Sequence, residues 1–219
     1  MKIALFGNPN TGKSTIFNML TGLRQQVGNF PGVTVDKKKG RIETAQGQHQ
    51  LTDFPGTYSI FARSLDEQVV KEVLTNPQHP DYPDMAIVVA DASNLKRNLL
   101  LFSQVRDLGI PTVLALNMID VAENSGIVIN SFKLAKELNV EVAEVNAKKG
   151  IGLNGLRLAV NKTLEQRFNS NDSLPVEYSP ELIDEIKEQY GDTDDYHALL
   201  WLSEHDNLKQ FNTEQRVGF

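Results

Sequence analysis

GNPNTGKST, Gly7 to Thr15, stands between the apolar run Ile3-Ala4-Leu5-Phe6 and a helical pattern from Lys13 to Leu20 that Gly22 stops. The spacing Gly7-x-x-x-x-Gly12-Lys13-Ser14 is that of a phosphate-binding loop, and a strand before it with a helix after it is the frame the motif requires. Glycines let backbone N–H groups converge on phosphate oxygens, and the helix N-terminus adds positive potential. Lys13 then reaches the β- and γ-phosphates, and Ser14 gives its hydroxyl to Mg²⁺. The loop residues expected at the nucleotide are Gly7, Asn8, Asn10, Thr11, Gly12, Lys13, Ser14 and Thr15.

Downstream, Val33 to Asp53 reads as two strands around the polar Ala45-Gln46-Gly47-Gln48, a hairpin that places an antiparallel strand at one edge. Apolar runs Met85 to Ala90 and Thr112 to Leu116 flank a helix from Leu95 to Leu108 that Gly109 and Pro111 close. Val140 to Val145 and a helix from Leu153 to Phe168 complete the alternation. The expected fold is α/β, a P-loop GTPase fold: a mostly parallel sheet with one antiparallel edge strand and helices on both faces. A G domain is expected over 1–168, a linker over 169–177 and a small α-helical domain over 178–219.

Two segments after the loop fit sensors of a γ-phosphate. Asp53-Phe54-Pro55-Gly56 follows an apolar strand, so Asp53 can approach Mg²⁺ through a water while the Gly56 N–H faces the γ-phosphate. Thr34, with Gly32 and Val33 before it, is the candidate second contact to metal and γ-phosphate. Their release on loss of that phosphate would be the order–disorder switch of a GTPase. Asn117-Met118-Ile119-Asp120 ends a strand where doubly wound sheets bind ligands. The Asp120 carboxylate can accept from both N1–H and the exocyclic amine of guanine, a donor pair that adenine lacks, which favours GTP over ATP. Met118 would cover the base, and Asn146-Ala147-Lys148 could bring the Ala147 N–H to guanine O6.

Where many small GTPases carry a water-orienting glutamine after Asp-x-x-Gly, this chain has Thr57. Asn10 offers an alternative, an amide oxygen beside the phosphates where a monovalent cation could take the electrostatic place of an arginine. Asn10 could equally serve only to tolerate a turn conformation. Lys13, Asn10, Thr34 and Gly56 are the residues expected to carry hydrolysis.

Composition narrows the field. The 219 residues contain no cysteine, which excludes disulfides and thiolate metal sites, and the formal net charge of -6 argues against nucleic acid as a partner. No stretch approaches the roughly 18 apolar residues of a membrane span, and the first residues have no secretion-signal layout. The lone basic run, Lys37-Lys38-Lys39, reads as a solvated edge strand, and His49, His79, His197 and His205 are too scattered to suggest a ferrous site.

The stretches GNPNTGKST, VGNFPGVTVD, DFPGTYSI, DASNLKRNLLL and LALNMIDVA resemble, in sequence and order, the cytosolic GTPase domain of the ferrous iron transport protein B family over Met1 to about Phe168. The resemblance implies a Mg²⁺-dependent, K⁺-activated GTPase, with Asn10 and the backbone around Gly28 and Asn29 holding K⁺. It implies a GDP-retaining helical domain, here short, and a membrane-embedded iron-transport portion of the same polypeptide through which the protein could form homo-oligomers. The expected location is the cytoplasmic side of the cell membrane. Asn146 departs from the serine or threonine more usual in the family. The alternatives are an RNA-associated GTPase, which the acidic charge disfavours, and a nucleotide-sensing module without hydrolysis.

Overall fold

The computed structural model describes residues 1–22, 25–30, 33–62 and 64–166. The expected linker and helical domain lie outside these residues, as do Gly32, His197 and His205. Seven strands form one sheet: β1 (Lys2–Gly7), β2 (Gln25–Asn29), β3 (Asp36–Thr44), β4 (Gly47–Asp53), β5 (Met85–Asp91), β6 (Thr112–Asn117) and β7 (Glu141–Glu144). Their order is β2-β3-β4-β1-β5-β6-β7. Every pairing from β4 to β7 is parallel, while β3 runs antiparallel to β4 and β2 antiparallel to β3.

The sheet is therefore mostly parallel with an antiparallel edge, as expected, and β2 makes that edge one strand wider. Gln25-Gln26-Val27-Gly28-Asn29 has no apolar alternation to announce a strand, and all five residues are exposed. Its partner β3 is consequently covered, which corrects the view of Lys37-Lys38-Lys39 as a solvated edge. Lys37 and Lys39 share one face and both pair with the buried Asp81. Burial opposes the charge on Asp81, but the hydrogen bonds from Lys37 and Lys39 outweigh it and hold the carboxyl below the usual carboxylate range.

Helices α1 (Lys13–Thr21), α2 (Leu65–Thr75), α3 (Leu95–Asp107), α4 (Ile119–Asn124), α5 (Ser131–Leu138) and α6 (Leu153–Glu165) cover both faces. Side chains of β1 alternate between two cores. Ala4 and Phe6 join Val70 and Leu74 of α2 and Leu101 and Phe102 of α3. Ile3 and Leu5 join Ile16 and Phe17 of α1 and Leu156 and Val160 of α6.

Neighbours on the two sides of β1 set up the site. The chain reaches β4 on one side and then crosses to β5 on the other, so the order of strands reverses at β1, where doubly wound sheets open a crevice at their carboxyl ends. Gly7, Asp53 and Asn117 all end parallel strands at that edge, on β1, β4 and β6.

Candidate functional site

The phosphate loop turns through two left-handed residues, Asn10 at φ 66 and Gly12 at φ 82. Asparagine is among the few non-glycine residues that adopt this conformation readily. Thr11 closes the loop from inside, its backbone N–H and hydroxyl both donating to Asn8 O, at 3.4 and 2.9 Å. Gly12 caps α1 with no side-chain hydrogen bond, and the first turn carries no acidic residue. The helix thus begins with unsatisfied N–H groups and uncancelled positive potential, the arrangement that receives phosphate.

Lys13 is buried and ion-paired with the buried Asp53, and Ser14 Oγ donates to Asp53 Oδ2 at 3.2 Å. Burial lowers the Lys13 ammonium below the ordinary lysine range even though Asp53 beside it pulls the other way. The oxygen pair of Ser14 and Asp53 suits a hard cation such as Mg²⁺. Among the described residues no cluster of three His, Cys, Asp or Glu could hold a metal, so a Mg²⁺ here would need further oxygens from water or phosphate.

The Asp53–Gly56 segment, the second in chain order of the two expected switches after that of Thr34, is anchored at both ends of its turn. A side chain on Gly56 would stand 3.1 Å from the Pro9 backbone, so only glycine lets these segments approach without displacement. The Thr57 N–H donates to Gly7 O at 3.2 Å, while Thr57 itself is fully buried with its hydroxyl on Ser59 O at 2.6 Å. The residue that stands where many GTPases carry glutamine therefore turns its hydroxyl onto its own segment's backbone. Phe54 packs between Phe6 and Phe30, with ring centroids 4.8 and 5.2 Å away, which ties the second switch to the first.

Base-side residues form a second network. Asn117 is buried, its Nδ2 donating to Thr11 O at 2.8 Å and its Oδ1 accepting from the Ala147 N–H at 3.0 Å. It fastens the phosphate loop to the turn after β7, and a Cβ on Gly12 would lie 2.3 Å from its Nδ2. The Ala147 N–H expected for guanine O6 is thus already engaged, and a base would have to share it. Asp120 accepts from Lys149 Nζ at 3.0 Å. Hydrogen bonds from Lys149 and then Asn146 hold its carboxyl below the usual carboxylate range, so it is presented as an acceptor. Asn146 thus helps hold the Asp120 carboxyl low despite its departure from serine, and its Oδ1 caps the short turn Ala147–Lys149 by accepting from Lys149 N at 3.1 Å.

Several expected residues stand elsewhere. Thr34 is exposed and makes no side-chain hydrogen bond among the described residues, and Val33 is half-buried against the core below. Gly28 and Asn29 are paired in β2 with Lys37 and Asp36 rather than joined to Asn10. Asn8 is buried with Nδ2 directed to Arg97 O at 3.5 Å, so its side chain serves α3. Lys148 and Thr15 are exposed, and Met118, at φ 62, opens α4. The cation that reaches Asp120 is Lys149, which the motif alone does not separate from Lys148.

Comparison with known proteins places this geometry. A family model described as ferrous iron transport protein B matches residues 1–160. The chain belongs to that family, FeoB. The Fe(2+) transporter FeoB of Salmonella typhimurium is 42% identical over 190 residues, covering 84% of this chain and 23% of that protein. The chain thus spans about a quarter of the length of such FeoB relatives. The cytosolic domain of L. pneumophila FeoB superposes with a TM-score of 0.80 at 34% identity, over 95% of this chain and 82% of that one. The cytosolic domain of the T. maritima FeoB iron transporter in a GDP form gives 0.78 at 30% identity, over 99% and 89%.

Replacing Asn117 with alanine leaves the buried Thr11 carbonyl and the Ala147 N–H without partners. A loss of about 2 kcal/mol in unfolding free energy is expected, measurable by denaturant titration without nucleotide.

Proposed function

We propose that the chain is the GTP-binding and GTP-hydrolysing domain of a ferrous iron transporter, working on the cytoplasmic side of the membrane. The observation that carries this is the convergence of two networks on one sheet edge, Lys13–Asp53–Ser14 for phosphates and Asn117–Asp120–Asn146 for the base. Asp120, kept ionised by Lys149, suits the paired donors of guanine. The remaining three-quarters of the relatives' length would supply the membrane portion whose Fe²⁺ uptake the switch regulates. Oligomers would form through that portion.

Mg²⁺ would sit between Ser14 and Asp53 with phosphate oxygens, neutralising charge as the terminal phosphate leaves. Asn10 is exposed and its amide makes no hydrogen bond among the described residues, so its oxygen is available to K⁺. Gly28 and Asn29 would join it only after leaving β3. The test is hydrolysis with Mg²⁺ in KCl against NaCl at equal ionic strength. KCl should accelerate the parent by about a hundredfold, the lower end for an electrostatic contact to a developing anion, and Asn10→Ala should lose the response. A parent rate indifferent to the cation rejects the K⁺ role.

A second function, nucleotide sensing without hydrolysis, draws support from the buried Thr57, which leaves no side chain at that position to orient water. Single-turnover kinetics separate the two, since a sensor would leave GTP intact.

A further inference from the structure

Asp91 to Asn98, inside the stretch DASNLKRNLLL, contains no residue assigned to phosphate, metal or base, yet its side chains are closely tied to its own backbone. Asp91 Oδ1 accepts from both the N–H and the hydroxyl of Ser93, at 2.8 and 2.7 Å. Asn98 is buried and its Nδ2 donates to Asn94 O at 2.8 Å. These bonds fix the first turn of α3 and with it Arg97, whose carbonyl receives the Asn8 side chain of the phosphate loop. The Arg97 guanidinium carbon lies 4.0 Å from the centre of the Tyr58 ring, two residues beyond Gly56. Arg97 makes no ion pair among the described residues.

We propose that Arg97 is a positioning residue for the second switch, holding Tyr58 from above so that the Gly56 N–H stands where a terminal phosphate would meet it. The inference rests on the proposed GTP site. Besides the Ile60 side chain, which is buried in the core, four contacts hold the segment from Gly56 to Ile60: packing of Gly56 on Pro9, Thr57 N–H on Gly7 O, Ile60 N–H on Gln104 Oε1 at 3.1 Å, and Tyr58 under Arg97. The first three involve backbone beside the buried Thr57 and Gln104. Only the fourth joins two exposed side chains, so it can form and break without unfolding the core. A cation over an aromatic face at such a site is a weak attraction, of the size that adjusts an equilibrium rather than one that locks it. Because the phosphate loop and the second switch meet at the same residue, movement at one is registered at the other.

The measurement compares Arg97→Ala, Arg97→Lys, Tyr58→Leu and the Arg97→Ala/Tyr58→Leu pair with the parent. It reads affinity for GDP, affinity for a non-hydrolysable GTP analogue, and single-turnover hydrolysis. GDP affinity should stay within about twofold, because GDP has no terminal phosphate for Gly56. Analogue affinity should fall about threefold to fivefold in either the alanine or the leucine variant, with a slower turnover, and the pair should add little to either single change. Arg97→Lys should recover part of the loss, since an ammonium keeps the attraction to the ring but not the planar stacking. Analogue affinity and rate equal to the parent's overturn the inference, as does an equal loss for GDP and analogue. A parent that binds neither nucleotide overturns the proposed function and this inference together, whereas a binding parent with silent variants overturns the inference alone.

Discussion

Lys13→Ala should lose affinity for GTP and GDP by at least about a thousandfold, because it removes the buried cation at the start of α1. Truncating one partner of a buried charged contact costs about 2–5 kcal/mol, and here the partner lost on binding is a phosphate of higher charge than a carboxylate. The same substitution leaves Asp53 buried without its cation, which should destabilise the protein before any ligand is added. Pairing Lys13→Ala with Asp53→Asn separates the effects. The double variant should regain much of the lost melting temperature while binding stays absent, as read by a fluorescent GDP analogue and thermal denaturation. Near-parental binding by the single variant would remove Lys13 from the phosphate site.

Asp120→Asn should weaken GTP by roughly a hundredfold to a thousandfold and raise affinity for xanthosine triphosphate. The carboxylate offers two acceptors to the N1–H and amine of guanine. An asparagine must turn one donor toward those donors, leaving a polar pair unsatisfied. Xanthine carries an oxygen where guanine has the amine, and the asparagine N–H can donate to it. Asp120 is partly exposed and sits at the start of α4, so the fold should tolerate the change. Competition of both triphosphates against labelled GDP measures the exchange, and unchanged preference would show that Asp120 does not meet the base.

The phosphate loop, Asp53, Asn117 and Asp120 are legible in the sequence because each combines a local motif with the end of a buried strand, and a parallel sheet brings such ends together. β2 is not, because a strand held by backbone pairing alone leaves no mark in side-chain periodicity. α2 does carry a readable start signal in Ser64 followed by Glu67, and the Glu67 N–H donates to Ser64 Oγ at 3.3 Å. α5 is legible in principle too, since its amphipathic pattern is sharper than those of α1 and α3, although none of its residues is fully buried. Within the site, Lys149 and Arg97 cannot be found from spacing, since their partners Asp120 and Tyr58 are far away in sequence. The engagement of Ala147 by Asn117 likewise depends on how β6 and β7 end side by side.

Phe30 gives the first switch an unusual mechanical character. The strand before it, β2, hides no side chain, whereas Phe30 is almost wholly inside the protein against Phe54. Among the described residues the deepest peg of this strap is Phe30, with Val33 and Val35 half-buried beside it and β2 paired to β3. Pulling that peg exposes one phenylalanine, about 1.5–3 kcal/mol, which is also the size of one hydrogen bond to a charged group. One hydrogen bond made or broken at a phosphate is therefore of a size to offset the burial of this peg, whose socket, Phe54, belongs to the Asp53–Gly56 segment.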